Sequence, residues 1–340
     1  MTDVPRTSRE IQLAASPNGL PKPADLAVAE TPVPVPGPGE VLVRNRFFTV
    51  FAGLRTLLGG AVQGAPLPSF HPGDTLFGPA IGEVVAAPEG SGLRPGDLVQ
   101  HMLGWREYSV VPGVDCRPAD GVLPDPMAHL AQGVTPYGAL TRAAQVRPGD
   151  VVFVSGGAGS VGSMAGQIAR LLGAGRVIGS TGSSWKAEQM IATLGYDSVV
   201  VRGVAPVAEQ LAKAAPDGID VVVDNVGGED LQAAIAVARQ SARFALVGAL
   251  SGQLAPGGSG STAPVEIDSF QLILKQVTMA GYSAGGDGGV RAEWDERFAG
   301  WLRSGAIQFP HVRVEGIEQA PQALHDMLAG RYLGTVVVAI

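Results

Sequence analysis

Three glycines spaced as Gly157-Ala-Gly159-Ser-Val-Gly162 follow a β-branched and aromatic run, Val151-Val-Phe-Val154. After them the apolar residues Val161, Met164, Ala165, Ile168, Leu171 and Leu172 keep a helical period, and Gly173 marks the helix stop. Strand, glycine turn and helix in that order make a phosphate cradle: two glycines let the backbone bend and approach a ligand, and the third lets the helix pack on the strand. The helix starts where the glycines end, so its leading N–H groups and positive dipole end face a pyrophosphate. Gly157, Gly159, Ser160, Val161 and Gly162 are therefore candidate cofactor-binding residues.

A second strand, Arg176-Val-Ile-Gly-Ser180, completes a β-α-β unit. In an NAD-binding unit the tip of this strand carries Asp or Glu for the ribose hydroxyls. Here it reads Ser180-Thr-Gly-Ser-Ser-Trp-Lys186, with no carboxylate to repel a phosphate. Ser180, Thr181, Ser183 and Lys186 together suit a ribose 2′-phosphate, which predicts NADPH in preference to NADH. The competing reading is a serine-rich turn with a solvated lysine.

The elements that must position these residues fall into two textures. Up to about Leu123, short apolar runs alternate with Pro and Gly turns: Glu40-Val-Leu-Val-Arg44, Ile81-Gly-Glu-Val-Val85, Asp97-Leu-Val-Gln100 and Glu107-Tyr-Ser-Val-Val111, with turns at Pro72-Gly-Asp74 and Pro95-Gly-Asp97. Strands at this spacing predict a compact β-barrel or sandwich. From about Pro124, helices predicted at 185–194, 205–214 and 229–239 alternate with strands at 198–201, 220–224 and 243–248, the pattern of a doubly wound parallel sheet. Residues 250–264 are too polar and glycine-rich to pack as an element, and read either as a lid over the ligand end of the sheet or as a plain connector. A strand at 277–281, helices at 291–303 and 321–329, and a last apolar strand at 335–340 close the chain, the last returning to the first domain. The expected domains are 1–123 with 308–340, and 124–307.

A length of 340 residues suits two such domains, and the net charge of −7 argues against nucleic-acid binding and a basic membrane face. The N-terminus lacks a signal-peptide core and no run approaches the roughly 20 apolar residues of a membrane span, so a soluble cytoplasmic protein is expected. A single cysteine, Cys116, rules out an intrachain disulfide and a multi-cysteine zinc site. The five histidines, His71, His101, His129, His311 and His325, show no close ligand spacing, and no metal is expected.

The chain resembles, over nearly its whole length, the zinc-free medium-chain dehydrogenase/reductase superfamily, in the branch of leukotriene B4 dehydrogenase, prostaglandin reductase and alkenal double-bond reductases. The segment 151–169, Gly182-Ser-Ser-Trp-Lys186, Asp224-Asn-Val-Gly-Gly228, Val247-Gly-Ala-Leu-Ser251, Trp105-Arg-Glu-Tyr108 and Thr135-Pro-Tyr137 carry the resemblance. It implies a GroES-like N-terminal barrel, a Rossmann domain, NADPH, a small-molecule substrate, and commonly a homodimer. It also implies cofactor contacts at Asn225, Gly248, Ala249 and Ser251, and at Arg202, which stands where relatives have Asn-Tyr-Lys. Phe51, Gly53, Arg55 and Gln253 fall at the implied substrate pocket.

The chain departs from this branch at residues that bear on chemistry. Val50-Phe-Ala-Gly-Leu-Arg55 replaces the usual Leu-Asp-Pro-Tyr-Met-Arg, so Gly53 stands at a tyrosine. A second tyrosine falls near Gln253, and a cofactor-touching asparagine is Tyr332. The resemblance implies hydride delivery to a conjugated C=C bond, with Tyr137 and Tyr282 left as the phenols able to assist an enolate; each also reads as a packing ring. Loss of the usual tyrosines implies a wider pocket and a bulky substrate. Two other classes stay open: a reductive cyclase of natural-product assembly, as relatives acting on polycyclic tetramate macrolactams are, and a non-catalytic NADPH-binding protein.

Overall fold

A computed structural model of the protein describes residues 4–60, 68–119, 121, 123–255, 260–286 and 288–340. The chain divides into two compact units, Met1–Leu130 with His311–Ile340, and Ala131–Pro310. These boundaries lie after Leu130 and before His311, somewhat beyond the expected 123 and 308, because the one-turn helix ending at Leu130 stays with the first unit.

The first unit opens with an antiparallel pair, β1 (Thr7–Leu13) and β2 (Leu26–Pro32). Strand β3 (Glu40–Val50) leads into the short helix α1 (Leu54–Leu58), followed by β4 (Ala80–Ala86), β5 (Leu98–His101), β6 (Tyr108–Pro112) and β7 (Arg117–Pro118). All four strands read from the sequence are present, and β3 runs on past Arg44 because Phe48 and Val50 continue the buried face. Val41, Val43, Val84, Val99, Val111 and Cys116 form a core cluster. The Pro-Gly-Asp turns work through their aspartates: Asp74 accepts the His71 N–H at 2.7 Å and Asp97 the Arg94 N–H at 2.7 Å.

The second unit contains α2 (Val134–Gly138), β8 (Val151–Val154), α3 (Ser160–Leu171), β9 (Arg176–Thr181), α4 (Ser184–Thr193), β10 (Ser198–Val201), α5 (Val207–Ala214) and β11 (Ile219–Asp224). It continues with α6 (Gly228–Ala236), β12 (Ala238–Leu246), α7 (Leu250–Gln253), α8 (Ser269–Lys275), β13 (Thr278–Gly281) and α9 (Gly288–Ser304). Its six strands pair in parallel in the order β10-β9-β8-β11-β12-β13. Phe153, Ile178, Val200, Val222 and Phe244 fill one core cluster, which explains why these strands read as unbroken apolar runs. Strand order reverses between β8 and β11, and ligands bind outside the carboxyl ends of strands at such a point.

Three expectations are corrected here. Helix α6 ends at Ala236, not 239, and β12 begins at Ala238, not 243. The Arg239 side chain explains this, since it donates to the Asp217 carbonyl at 2.6 Å and to Asp220 at 2.7 Å and draws its backbone to the sheet. Helix α8 was not expected at all. The stretch 250–264 is not wholly without structure: α7 forms at its start, and a Cβ on buried Gly252 would stand 1.9 Å from the Thr262 carbonyl oxygen, so the segment folds back on itself there. Residues 256–259, the middle of the supposed lid, lie outside the described residues.

The chain then returns to the first unit through β14 (His311–Glu315), α10 (Ala320–Leu328) and β15 (Thr335–Ala339). Strand β15 lies parallel to β14 and antiparallel to β3, completing a seven-stranded sheet as the final apolar run predicts.

Candidate functional site

The carboxyl ends of β8, β11 and β12 converge through hydrogen bonds on Ser155 and Asp224, which lie within the motifs read from the sequence but are not among the site candidates named from it. Ser155 follows β8 and donates to Asp224 at the end of β11 at 2.6 Å, while its oxygen accepts the Asn225 N–H at 2.8 Å. The Asn225 side-chain amide donates to the Ser155 carbonyl at 2.7 Å. Asp224 also accepts the Gly227 N–H at 3.0 Å, and its own carbonyl accepts the Val247 and Gly248 N–H groups at 2.8 and 3.1 Å. Burial pushes the Asp224 carboxyl above the usual range, and the Ser155 hydroxyl and the backbone N–H groups pull it partly back. Gly248 lies against Asn225, where a Cβ would stand 2.6 Å from its carbonyl oxygen, and the Ser251 N–H donates to Val226 at 2.8 Å. Asn225, Gly248, Ala249 and Ser251 are thereby gathered at the switch point.

The glycine turn has the expected shape, but its glycines divide the work differently. The residue with positive φ is Gly156, at 61°, which precedes the motif. Gly157 does not leave room for a phosphate: a Cβ there would meet Met190 Cε at 2.5 Å and the Tyr196 hydroxyl at 2.9 Å. Gly162 is needed because its Cβ would stand 2.3 Å from the Gly156 oxygen and 2.6 Å from the Gly157 Cα. Gly159, the exposed N-cap of α3, meets only the Gly156 oxygen at 3.5 Å, so the outward approach is at Gly159 beside half-buried Ser160 and Val161.

The tip of β9 corrects the sequence picture further. Ser180 is fully buried and its hydroxyl does not face outward. It accepts the Gly156 N–H at 3.0 Å and donates to the Asp230 carboxylate of α6. A carboxylate is therefore at the tip after all, supplied from a different element. Thr181 is buried, and its carbonyl accepts the Arg202 N–H at 2.9 Å. Ser183 is the half-buried N-cap residue of α4, and its side chain makes no capping hydrogen bond. Lys186 is only 6% exposed, not solvated, and its Nζ sits 5.7 Å from the centre of the Trp185 ring. Burial lowers the Lys186 ammonium below its usual range, and the charge of Arg202 lowers it further. Arg202 pairs with Asp230 at 3.3 Å.

The two candidate phenols have different surroundings. Tyr137 is 1% exposed and donates to Glu293 at 3.1 Å, where Glu293 also binds Arg142. Tyr282 lies over α2, its hydroxyl oxygen buried where a Cβ on Gly138 would be. Of the expected pocket residues, Phe51, Gly53 and Arg55 belong to the first unit and Gln253 to the second. Gly53 is the N-cap of α1, and a Cβ there would stand 3.1 Å from the Phe51 ring. Arg55 is buried, and desolvation lowers its guanidinium from the usual range. Tyr332, also in the first unit, points its hydroxyl towards Asp326 at 3.4 Å.

Comparison with known proteins shows the family. Residues 9–118 match the family described as the N-terminal domain of oxidoreductase, and residues 160–303 the family described as zinc-binding dehydrogenase. The chain is 30% identical to prostaglandin reductase 1 of Mus musculus, covering 94% of this chain and 95% of the relative. It is 29% identical to the NADPH-dependent curcumin reductase of Escherichia coli (strain K12), with 98% and 97% covered. The crystal structure of CurA from Vibrio vulnificus in complex with NADPH superposes with a TM-score of 0.88 at 30% identity, covering 97% of this chain and 98% of that one. The chain belongs to the zinc-free medium-chain dehydrogenases/reductases. The zinc in the second family's description does not fit this member: among the described residues no group of three or more His, Cys, Asp or Glu side chains is placed to hold a metal. The residues at the switch point do fit the dinucleotide of these reductases, with an open approach at Gly159 and two cations, Lys186 and Arg202, at the β9 tip.

Proposed function

We propose that this protein reduces a conjugated C=C bond of a bulky small molecule with NADPH. It is an NADP-dependent oxidoreductase of the carbon–carbon double-bond reductases, and NADPH is its cofactor. The observation that carries the reading is the switch-point turn at the ends of β8, β11 and β12 with Lys186 and Arg202 beside it. Bound NADPH supplies a hydride to the β-carbon of the conjugated system, and negative charge then develops on the carbonyl oxygen as an enolate. The chain holds the cofactor through the α3 N-terminus and the β9 tip. Tyr137 already donates to Glu293, and Tyr282 is packed over Gly138, so in this reading water protonates the α-carbon and neither phenol is an acid. Gly53 and Gln253, in place of the family's tyrosines, favour a large substrate over a small alkenal.

The test compares kcat/KM for crotonaldehyde with that for a large conjugated dienone, following NADPH absorbance and identifying the product. The dienone is expected to react well and the enal poorly, and Tyr137→Phe to keep kcat within about threefold, far from the roughly 10²–10⁴-fold loss of a true general acid. An enal turning over near 10⁴–10⁸ M⁻¹s⁻¹, the range of good enzyme–substrate pairs, would overturn the bulky-substrate reading.

A homodimer is part of the proposal. Strand β13 is an edge of the parallel sheet, and α8, which packs on β12 and α6 and precedes β13 in the chain, exposes Phe270, Ile273 and Leu274 by 62%, 69% and 53%. An open strand edge and exposed apolar side chains favour pairing with a second copy. Light scattering is expected to give twice the chain mass, and Phe270→Glu with Ile273→Glu to give monomers. No helix among the described residues is long and apolar enough to cross a membrane, and the reading assigns the protein to the cytoplasm.

A further inference from the structure

Asp230 is the residue of the cofactor-binding unit that neither its position nor its neighbours in sequence explain. It sits in the first turn of α6, its side chain 1% exposed, too deeply buried to meet a ligand itself. Burial raises the Asp230 carboxyl above its usual range, and the Arg202 charge and the Ser180 hydroxyl pull it back; as a carboxylate it accepts the Ser180 proton. That leaves the Ser180 lone pairs for the two donors around it, the Gly156 N–H at 3.0 Å and Arg202 Nη1 at 3.3 Å. The same Arg202 nitrogen lies 3.3 and 3.4 Å from the two Asp230 oxygens. Its other terminal nitrogen reaches the β9 tip, 3.7 Å from where a Cβ on Gly182 would stand. One buried carboxylate thus orients a hydroxyl under the glycine turn and a guanidinium at the tip.

The charges make this more than packing. Burial first, and the charge of Arg202 second, disfavour the Lys186 ammonium form, while Arg202 pairs with the Asp230 carboxylate beneath it. Like charges are held together at a cost, and a dianionic phosphate placed between them removes that cost. Without Asp230 the guanidinium would keep only the Ser180 hydroxyl oxygen, at 3.3 Å, to hold it at the tip.

We propose that Asp230 is a positioning residue for the 2′-phosphate of NADPH: it fixes Arg202 at the β9 tip and, through Ser180, ties that cation to the glycine turn. This rests on the reading of the β9 tip as the 2′-phosphate site. Asp230 therefore sets the preference for NADPH over NADH without touching either.

The test measures dissociation constants of the holo-forming protein for NADPH, NADH and 2′,5′-ADP by calorimetry, and kcat at saturating NADPH. Asp230→Asn keeps the shape of the side chain and removes its charge. It is expected to weaken NADPH and 2′,5′-ADP by about tenfold, the effect of losing one charge-assisted hydrogen bond, while NADH changes less than about twofold and kcat is kept. Arg202→Ala should cost a similar factor, and the double variant little more, because the two act as one unit. Equal weakening of NADPH and NADH, additive losses in the double variant, or tighter NADPH binding by Asp230→Asn would each overturn the proposal. If Asp230→Asn does not fold, Ser180→Ala takes its place with the same expected selective loss. Should the unmutated protein bind NADPH and NADH alike and ignore 2′,5′-ADP, the fault would lie with the placement of the phosphate site. A selective unmutated protein with an indifferent Asp230→Asn variant would fault the positioning role alone.

Discussion

The glycine turn after β8 and the tip of β9 are neighbours at the same end of one sheet, yet they are built by opposite means. At the turn, side chains are absent where backbone must come close: Gly162 because of the Gly156 and Gly157 backbone, Gly159 because nothing else fills its outer side. At the tip, charged side chains are present, Lys186 and Asp230 buried and Arg202 half-buried, and they interact with one another across β9, β10, α4 and α6. A backbone cradle is a matter of shape and binds any dinucleotide. On the reading proposed above, a set of charges held at one edge separates a phosphorylated ribose from a bare one. The two regions should therefore fail differently: changes at the turn should remove binding altogether, and changes at the tip should remove only discrimination.

The largest expected effect breaks the turn. Gly162→Val places a Cβ 2.3 Å from the Gly156 oxygen and 2.6 Å from the Gly157 Cα, contacts with backbone that cannot swing aside. The turn must open, at a cost of about 3 kcal/mol from overpacking. Thermal unfolding should move to lower temperature, and NADPH and NADH binding should both be lost in calorimetry. A variant that still binds NADH normally would contradict the division between shape and charge.

A smaller effect is expected at the tip. Lys186→Ala removes a cation beside Arg202 and should weaken NADPH by about 1–3 kcal/mol, the span of a charge-assisted hydrogen bond, while leaving NADH nearly unchanged. Parallel titrations with both cofactors measure it. Equal losses for both would mean that the ammonium holds the tip together and does not read the phosphate.

How far each region is legible in the sequence follows from the same contrast. The strand, turn and helix of 151–171 are local, so an apolar run, glycine spacing and helical period are enough to place them. The reason for Gly157 is not local: Met190 and Tyr196 fill the space beside it, and both arrive from beyond the next strand. At the tip, Lys186 and the serines are visible in one segment, but burial turns Ser180 inward and brings in Asp230 from 50 residues away. Tyr137 shows the same limit, since its partner Glu293 lies 156 residues on and nothing near Tyr137 signals that its hydroxyl is taken. Helix α8 escaped because its apolar residues divide between the core, where Leu272 packs, and solvent, where Phe270, Ile273 and Leu274 lie exposed.

The smallest effect sharpens the comparison by acting on the turn from behind. The Tyr196 hydroxyl is buried and donates to the Gly162 carbonyl at 2.7 Å, and burial holds the phenol far above its usual titration range, so it stays a donor at any working pH. The ring stands where Cβ atoms on Gly157, Gly166 and Gly179 would otherwise be, so a glycine from the turn, one from α3 and one from β9 all yield space to it. Tyr196→Phe keeps the ring and removes one hydrogen bond, a loss of about 1 kcal/mol of stability. The Gly162 carbonyl still lies in the first turn of α3, where it can accept within the helix, so the turn should keep its shape. Denaturant unfolding should show the loss, with NADPH and NADH affinities both within about twofold of the unmutated protein. If NADPH alone weakened, the hydrogen bond behind the turn would be transmitting to the phosphate site, and shape and charge would not be separable in this sheet.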